Sequence, residues 1–387
     1  MKKPLPESHE ARDKNYRLNR IWPYRPTDVP DRFSRQKHFA AIILGLFLGH
    51  LLAAQLLSAE DTPVFTVKSI GPYKEATDAL GRTLLLIPRG QKPPEGLKPH
   101  QFVEVPVQRT ASLSGTYDLG IMKALGLLDT LIGLANPENQ STLPELIQDH
   151  ENGRLPYLGL WNAPDYETVK TLKPDLILNG DFRSLDIFEA MGCPAIFTFT
   201  RAANTLEDRL RFIKFLAAFY GQDQLADSLV LEVRETLKEL AEKSQDLKKP
   251  KVLYADFWQE KIQILPSDFW SSQIITLAGG DLLFPEVTGH LDVSIDPEAF
   301  YLRGRAADIY IPYRSSMYGY LTKSDLLKAH PLLNRFKVME PNGRVFRPEN
   351  IMYSDTGKIS EMARDLAAVI APELYPIRQL KYFAYVP

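Results

Sequence analysis

One cysteine in 387 residues, Cys193, leaves no partner for an internal disulfide, so the fold must rest on packing. Set in Met191-Gly192-Cys193-Pro194 ahead of an apolar stretch, it reads as a small buried residue. Histidine is scarce as well. After residue 59, His100, His150, His290 and His330 stand in four separate contexts, with no partner at helical spacing, so converging ligands for a bare metal ion are not visible. The chain has no Gly-x-Ser-x-Gly elbow, no His-Glu-x-x-His and no Gly-x-x-x-x-Gly-Lys-Ser/Thr loop. Ser114, Asp181 and Arg183 are the only conceivable set for an extracytoplasmic α/β enzyme. No histidine follows Ser114 before His150 to act as its base, so the sequence argues against an enzyme.

Residues 39–59 lack any Lys, Arg, Asp or Glu. This 21-residue apolar run follows Arg32, Arg35 and Lys37 and ends in Leu-Leu-Ser-Ala, the order of a secretory signal, and it is long enough to span a bilayer if retained. Positive charge before it keeps the N-terminus cytoplasmic and sends the remainder outside. The expectation is therefore an exported, periplasmic or extracytoplasmic protein, either cleaved near Ala59 or anchored by residues 39–59. No cysteine closes the run, so no lipid attachment site is visible. The formal charge of −2 conceals ten Lys/Arg against five Asp/Glu in residues 1–38, which leaves −7 on the rest. Such an acidic body does not suit nucleic acid.

With 44% hydrophobic residues, the chain is long enough for two globular units. Residues 60–108 read as short strands and turns, with a hairpin turning at Gly81. From residue 109, strands alternate with helices: Arg109–Leu113, a helix capped from Ser114-Gly115-Thr116 with Asp118 near its start, Thr130–Leu134, a helix capped by Asn162, then Asp175–Leu178. That alternation implies parallel sheets covered on both faces. Helical spacing over 204–247, broken at Gly221, gives a long second helix from about Asp223 to Asp246, roughly 36 Å at 1.5 Å per residue. A second α/β series begins at Lys251. Glu167 before Asp175-Leu-Ile-Leu matches Glu298 before Asp308-Ile-Tyr-Ile, which suggests two related lobes. The expected division is a basic leader and apolar segment over 1–59, an N-terminal lobe over 60–222, an inter-lobe helix over 223–249 and a C-terminal lobe over 250–387.

Thr77-Asp78-Ala79-Leu80-Gly81-Arg82, Leu172-Lys173-Pro174-Asp175-Leu176-Ile177-Leu178, Leu277-Ala278-Gly279-Gly280, His330-Pro331-Leu332-Leu333 and Asn342-Gly343-Arg344-Val345 stand in an order that resembles the periplasmic substrate-binding proteins of cobalamin and ferric-siderophore ABC importers. The resemblance covers roughly residues 75–370. It implies two Rossmann-like lobes with mostly parallel sheets, joined by one long rigid α-helix, with a ligand cleft between them. It further implies a monomeric receptor that hands an iron-siderophore, corrinoid or haem-like ligand to an ABC permease and its ATPase. No resident cofactor is expected, since the ligand itself can carry iron or cobalt. The alternative cargo in the same fold is a bare metal or a molybdate-like oxyanion.

Ligands of open parallel sheets sit beyond the carboxyl ends of the strands. That rule selects Ser114, Thr116, Tyr117, Trp161, Asn162, Asp181 and Arg183 in the first lobe, and Trp258, Trp270, Arg314 and Tyr318 in the second. Three of the four tryptophans fall on these loops, and rigid aromatic area suits planar or organic ligands. Arg183 and Arg314 are candidates to fork onto a carboxylate, phosphate or metal-bound oxygen, with a salt bridge to Asp181 or Asp186 as the plainer role for Arg183. The resemblance also implies one acidic docking residue per lobe for the permease. Glu145 falls where the first would lie; the usual second position is Thr276 here, which leaves Glu286 nearby.

Overall fold

Turns fixed by polar side chains shape the first sheet. In a computed structural model, β1 (Thr66–Ile70), β2 (Tyr73–Thr77) and β3 (Thr83–Pro88) form an antiparallel meander, and β4 (Phe102–Val105) joins β3 in parallel. Gly81 takes φ +76° in the β2–β3 turn, a left-handed conformation that costs glycine little. Asp78 Oδ1 accepts the Leu80 and Arg82 N–H groups, while Oδ2 accepts Phe197 N–H from the neighbouring sheet. The structure describes residues 64–387 except 115–117, 137–142, 200–201, 259, 290–291, 315–318 and 377–378. The apolar run and the expected site residues Thr116, Tyr117 and Tyr318 therefore lie outside the described residues. Among the described residues no helix is long and apolar enough to cross a membrane.

The first lobe continues with β5 (Thr110–Leu113), α1 (Leu119–Ala124), β6 (Leu131–Leu134), α2 (Pro144–Glu151), β7 (Gly159–Leu160), β8 (Ala163–Pro164), α3 (Tyr166–Leu172), β9 (Leu176–Asn179), α4 (Phe182–Ala190) and β10 (Ala195–Phe197). β5 and β9 are buried throughout, as expected for strands covered on both faces. Two helices follow, α5 (Leu206–Ala218) and α6 (Asp223–Lys243), separated by Gly221 in the left-handed region. α6 is one turn shorter than its spacing suggests. Its inner face buries Ala226, Val230, Val233, Leu237 and Leu240, at about 1.5–3 kcal/mol for each large side chain.

The second lobe holds β11 (Lys251–Trp258), β12 (Lys261–Ile264), α7 (Trp270–Leu277), β13 (Asp281–Leu282), β14 (Val293–Ile295), α8 (Pro297–Gly304), β15 (Ile309–Ile311), α9 (Lys323–Ala329), β16 (Arg344–Pro348), α10 (Ile351–Ser354), α11 (Ile359–Ile370) and β17 (Phe383–Tyr385). The parallel strands of the first lobe run β6-β5-β9-β10, and those of the second run β13-β11-β15-β16. Numbered within each lobe, both follow the order 2-1-3-4. β12 and β14 extend the second sheet with antiparallel pairing, and β17 closes its other edge. The same clamp starts both sheets. Asp175 N–H donates to Arg109 O at 2.8 Å and its carboxylate accepts Arg109 N–H; Asp308 does the same with Lys251, at 2.8 Å and 3.0 Å. The molecule is thus a mixed α/β protein of two lobes, with one topology used twice.

Three local expectations change. Asn162 does not cap a helix: Ala163 and Pro164 pair with Leu160 and Gly159, and Asp165 caps α3 by accepting Thr168 N–H. Ser114 likewise stands four residues before Asp118, which holds the cap position of α1. Cys193 is half-buried, packed beside Ala195 and Met191 at the edge of a small cluster, and burial raises its thiol above the usual range.

Candidate functional site

In a 2-1-3-4 sheet the winding reverses between strands 1 and 3, and the crevice outside their carboxyl ends is where open α/β sheets hold ligands. Here that means the loops after β5 and β9 in the first lobe, and those after β11 and β15 in the second.

The first pair of loops touch. A Cβ on Gly180, immediately after β9, would stand 3.1 Å from Ser114 Cα. Buried Asn179 donates through Nδ2 to Asp181 O and Ser184 Oγ, both at 2.8 Å. Asp181 caps α4 by accepting Arg183 N–H, and Arg183 Nε reaches its carboxylate at 2.9 Å. Arg183 therefore pairs with Asp181, while Asp186 is held by Arg82 at 2.9 Å. Trp161 and Asn162 form the two-residue turn of the β7–β8 hairpin. Trp161 N–H donates to Asn136 Oδ1 at 2.8 Å, and its ring packs on a cluster that includes Leu158 and Val169.

The second pair of loops converge on Arg314. Its N–H donates to Asp256 Oδ2 at 2.9 Å, and Nη2 donates to Gln263 Oε1 at 2.8 Å. Nη1 lies 3.7 Å from Asp256, and Nη2 lies 3.6 Å from Asp292. The guanidinium carbon sits 4.8 Å from the Trp258 ring centroid and 4.9 Å from that of Tyr313, whose hydroxyl donates to Asp292 at 3.1 Å. Asp256 is fully buried; burial raises its carboxyl to about 6 despite the Arg314 charge beside it. The arginine is thus a cation whose edge is committed to two carboxylates and an amide and whose neighbours are aromatic. At these distances the guanidinium makes cation–π contact with both rings. On the far side of β11, Phe257 stacks on His330 at 3.7 Å, and His330 Nε2 meets the Tyr320 hydroxyl at 2.7 Å. Burial lowers that imidazole to about 4, so it is neutral at physiological pH.

A third cluster joins the lobes. Asp118 is fully buried after β5, and neither of its carboxylate oxygens closes a hydrogen bond of normal geometry. Burial pushes it up to about 7, opposed only in part by the polar groups of Ser114 and Thr198 and the charge of Arg209. Arg209, on α5, lies over the Trp270 ring at 5.3 Å, and Trp270 N–H donates to Asn204 O. Trp270 accordingly packs at the lobe junction, whereas Trp258 packs on Arg314.

Of the other expected residues, Glu145 is ion-paired with Lys123 at 2.7 Å and Glu286 bonds Arg303, both at the surface. Gln263, Asp292 and Arg209 escaped the sequence reading, and His330 entered it only as an isolated histidine and as the head of His330-Pro331-Leu332-Leu333. Asp256 escaped it too, although a lone carboxylate inside the apolar run Lys251–Trp258 is a signal for a buried ion pair. Arg209 gave a similar signal, sitting on the apolar stripe of α5 between Leu206 and Ile213. Among the described residues no group of three or more His, Cys, Asp and Glu side chains is arranged to hold a metal ion.

Two lobes of one topology with paired switch points define a binding-protein architecture. The model of the periplasmic binding protein family matches residues 111–348, and the chain belongs to that family. It is similar to an uncharacterized lipoprotein of Methanocaldococcus jannaschii, with 26% identity over 78% of this chain and 79% of that protein. Among solved structures, a periplasmic heme-binding protein from Pseudomonas aeruginosa superposes with a TM-score of 0.55 at 20% identity, over 73% of this chain and 98% of that one. A petrobactin-binding protein from Bacillus subtilis gives 0.54 at 14% identity, over 68% and 92%. At these identities the two structures speak to the fold.

Proposed function

We propose that this protein is the extracytoplasmic receptor of an ABC importer, which captures an organic metal complex of the siderophore, haem or corrinoid kind between its lobes and delivers it to a membrane permease. The observation that carries this reading is the Trp258–Arg314–Tyr313 stack at the switch point of the second lobe, locked by Asp256, Asp292 and Gln263. A rigid aromatic platform of this kind suits a large flat or catechol-bearing ligand better than a bare ion. Ser114, Asp181, Arg183, Trp161 and Asn162 would supply the facing polar and aromatic contacts, together with Thr116, Tyr117 and Tyr318. The heme and petrobactin receptors of similar fold support the ligand class. The apolar run 39–59 would provide export or anchoring, and Glu145 and Glu286 are the proposed docking carboxylates. A bare metal or oxyanion cargo is the competing reading.

The test is optical spectroscopy and mass spectrometry of whatever co-purifies, followed by tryptophan quenching with ferric catecholates, haemin, cobalamin and molybdate. One organic complex should quench with saturation, and Trp258→Ala should weaken it at least tenfold. Binding of molybdate or of none of the four, with Trp258→Ala without effect, overturns the reading.

A further inference from the structure

The sheet of the second lobe has a second working end. Opposite the switch point, the N-terminal ends of β11, β15 and β16 frame a cavity of about 430 Å³ lined by Lys248, Lys249, Asp308, Lys337, Glu340 and Arg344. The lining carries four cations and two carboxylates. Asp308 is already occupied: Oδ2 accepts Lys251 N–H at 3.0 Å and Oδ1 pairs with Lys337 at 3.1 Å. Burial works to raise its carboxyl, but these contacts outweigh burial and hold it below the usual range, so it is ionised and spent on its own partners. Lys248 and Lys249 are exposed and make no ion pair among the described residues.

Arg344 is the built part of the cavity. Its side chain is half-buried, and burial lowers the proton affinity of its guanidinium. Nη2 donates to Val369 O and Ile370 O at the end of α11, which fixes the group in place. Nε and Nη1 donate to nothing among the described residues. This half-buried guanidinium, acted on by the charges of Glu373 and Asp308 but with more than half of its donor hydrogens unused among the described residues, lines the cavity together with Lys248 and Lys249, an arrangement suited to an oxyanion. The charged lining argues against an apolar ligand, because pockets for those are mostly hydrophobic.

From this geometry we infer that the cavity at the N-terminal ends of β11, β15 and β16 is a second ligand site, taking a phosphate-type multivalent oxyanion on Arg344, Lys248 and Lys249. It is independent of the cleft and of any reading of the cargo. A free phosphate compound and a phosphate group on an envelope polymer offer the same chemistry there.

Isothermal titration with inorganic pyrophosphate, and separately with a soluble glycerol-phosphate polymer, tests it on the whole protein. Three chains are compared: the wild type, Lys248→Glu/Lys249→Glu, and the charge-matched control Lys170→Glu/Lys238→Glu, whose exposed lysines lie elsewhere. Pyrophosphate should bind the wild type with one-to-one stoichiometry and the control within twofold of it. The Lys248→Glu/Lys249→Glu chain should bind at least tenfold more weakly. Binding of the polymer alone, lost in the same variant, upholds the site and assigns it to a polymer-borne group. Absence of binding by either probe, or equal weakening in both double variants, overturns the proposal.

Discussion

Gly357 lies with its backbone against Gly120: a Cβ on Gly357 would stand 2.8 Å from the Gly120 carbonyl oxygen and 2.6 Å from Ala124 Cβ. The contact joins α1 of the first lobe to the segment between α10 and α11 of the second. Glycine at both positions lets two backbones meet where any side chain would hold them apart. If this junction restrains the lobes, a side chain placed in it should show the effect.

A methyl group at position 120 would stand 2.4 Å from both Ser354 O and Thr356 N, and backbone atoms do not yield cheaply. Gly120→Ala should therefore destabilise the protein by about 1–3 kcal/mol, the usual cost of overpacking. It should also change the radius of gyration in solution scattering, as the lobes part to make room. Unchanged urea stability and scattering would sink the idea of a locked junction.

Asp118 predicts an unusual dependence on pH. Its folded carboxyl titrates at about 7 against an ordinary 3.8, because burial disfavours the charge. The folded state then holds the proton more tightly than the unfolded chain does. Its contribution is fully present below about pH 4 and is lost as the pH rises through about 7. Asp256, raised to about 6, acts with the same sign. Asp118→Asn removes the titration while keeping the shape. The variant and the wild type should have matching stability near pH 4, and the variant should be the more stable at pH 8. The gap should be on the order of a few kcal/mol, at roughly 1.4 kcal/mol per tenfold change in proton affinity. A variant that is less stable at both pH values would mean that Asp118 works as an ionised partner of Arg209.

Local pattern made much of this fold readable. Leu172-Lys173-Pro174-Asp175 announced the end of α3 and the start of β9, and the Glu/Asp spacing that linked Asp175 to Asp308 marks the same clamp in both lobes. Asn162 misled because Asn and Asp are equally good caps and stand three residues apart around a proline; the short hairpin that pairs Pro164 with Gly159 took Asn162 into its turn and left Asp165 as the cap. The site was legible as loops but not as contacts. Gln263 and Asp292 reach Arg314 from a neighbouring strand and a distant loop, and nothing in the local sequence records strand order. Trp258 and Trp270 looked alike in sequence, yet each has its own arginine, Arg314 for one and Arg209 for the other.

Lys323 offers a test of the second lobe beside the cavity at the N-terminal ends of β11, β15 and β16, whose lining includes Glu340 and Gly343. Its buried Nζ donates to Glu340 O at 2.9 Å, Gly343 O at 2.8 Å and Pro341 O at 3.3 Å, so one ammonium satisfies a whole loop. Lys323→Met keeps the stem and removes the donors. Tyr385 still donates to Gly343 O at 3.2 Å and lies 3.4 Å from Pro341 O, and Glu340 and Pro341 are exposed, so the loss by urea denaturation should be about 1–3 kcal/mol, the worth of the charge-assisted bonds removed. A loss below 0.5 kcal/mol, within the ordinary range of surface substitutions at about 0.5 kcal/mol, would show that water replaces the ammonium without penalty.

Arg314 separates scaffold from ligand contact. Arg314→Ala strips the countercharge from Asp256 and Asp292, and breaking a buried pair from one side costs about 3–5 kcal/mol. Adding Asp256→Asn removes the stranded charge, so the double variant should regain a large part of that stability at pH 7.5. Ligand affinity then decides the role of the arginine. If its only task is to hold the Trp258 platform, affinity should return with stability in the double variant. If the guanidinium itself touches the ligand, stability returns while affinity stays at least tenfold down. A double variant no more stable than Arg314→Ala would contradict the burial of Asp256 as the origin of the cost.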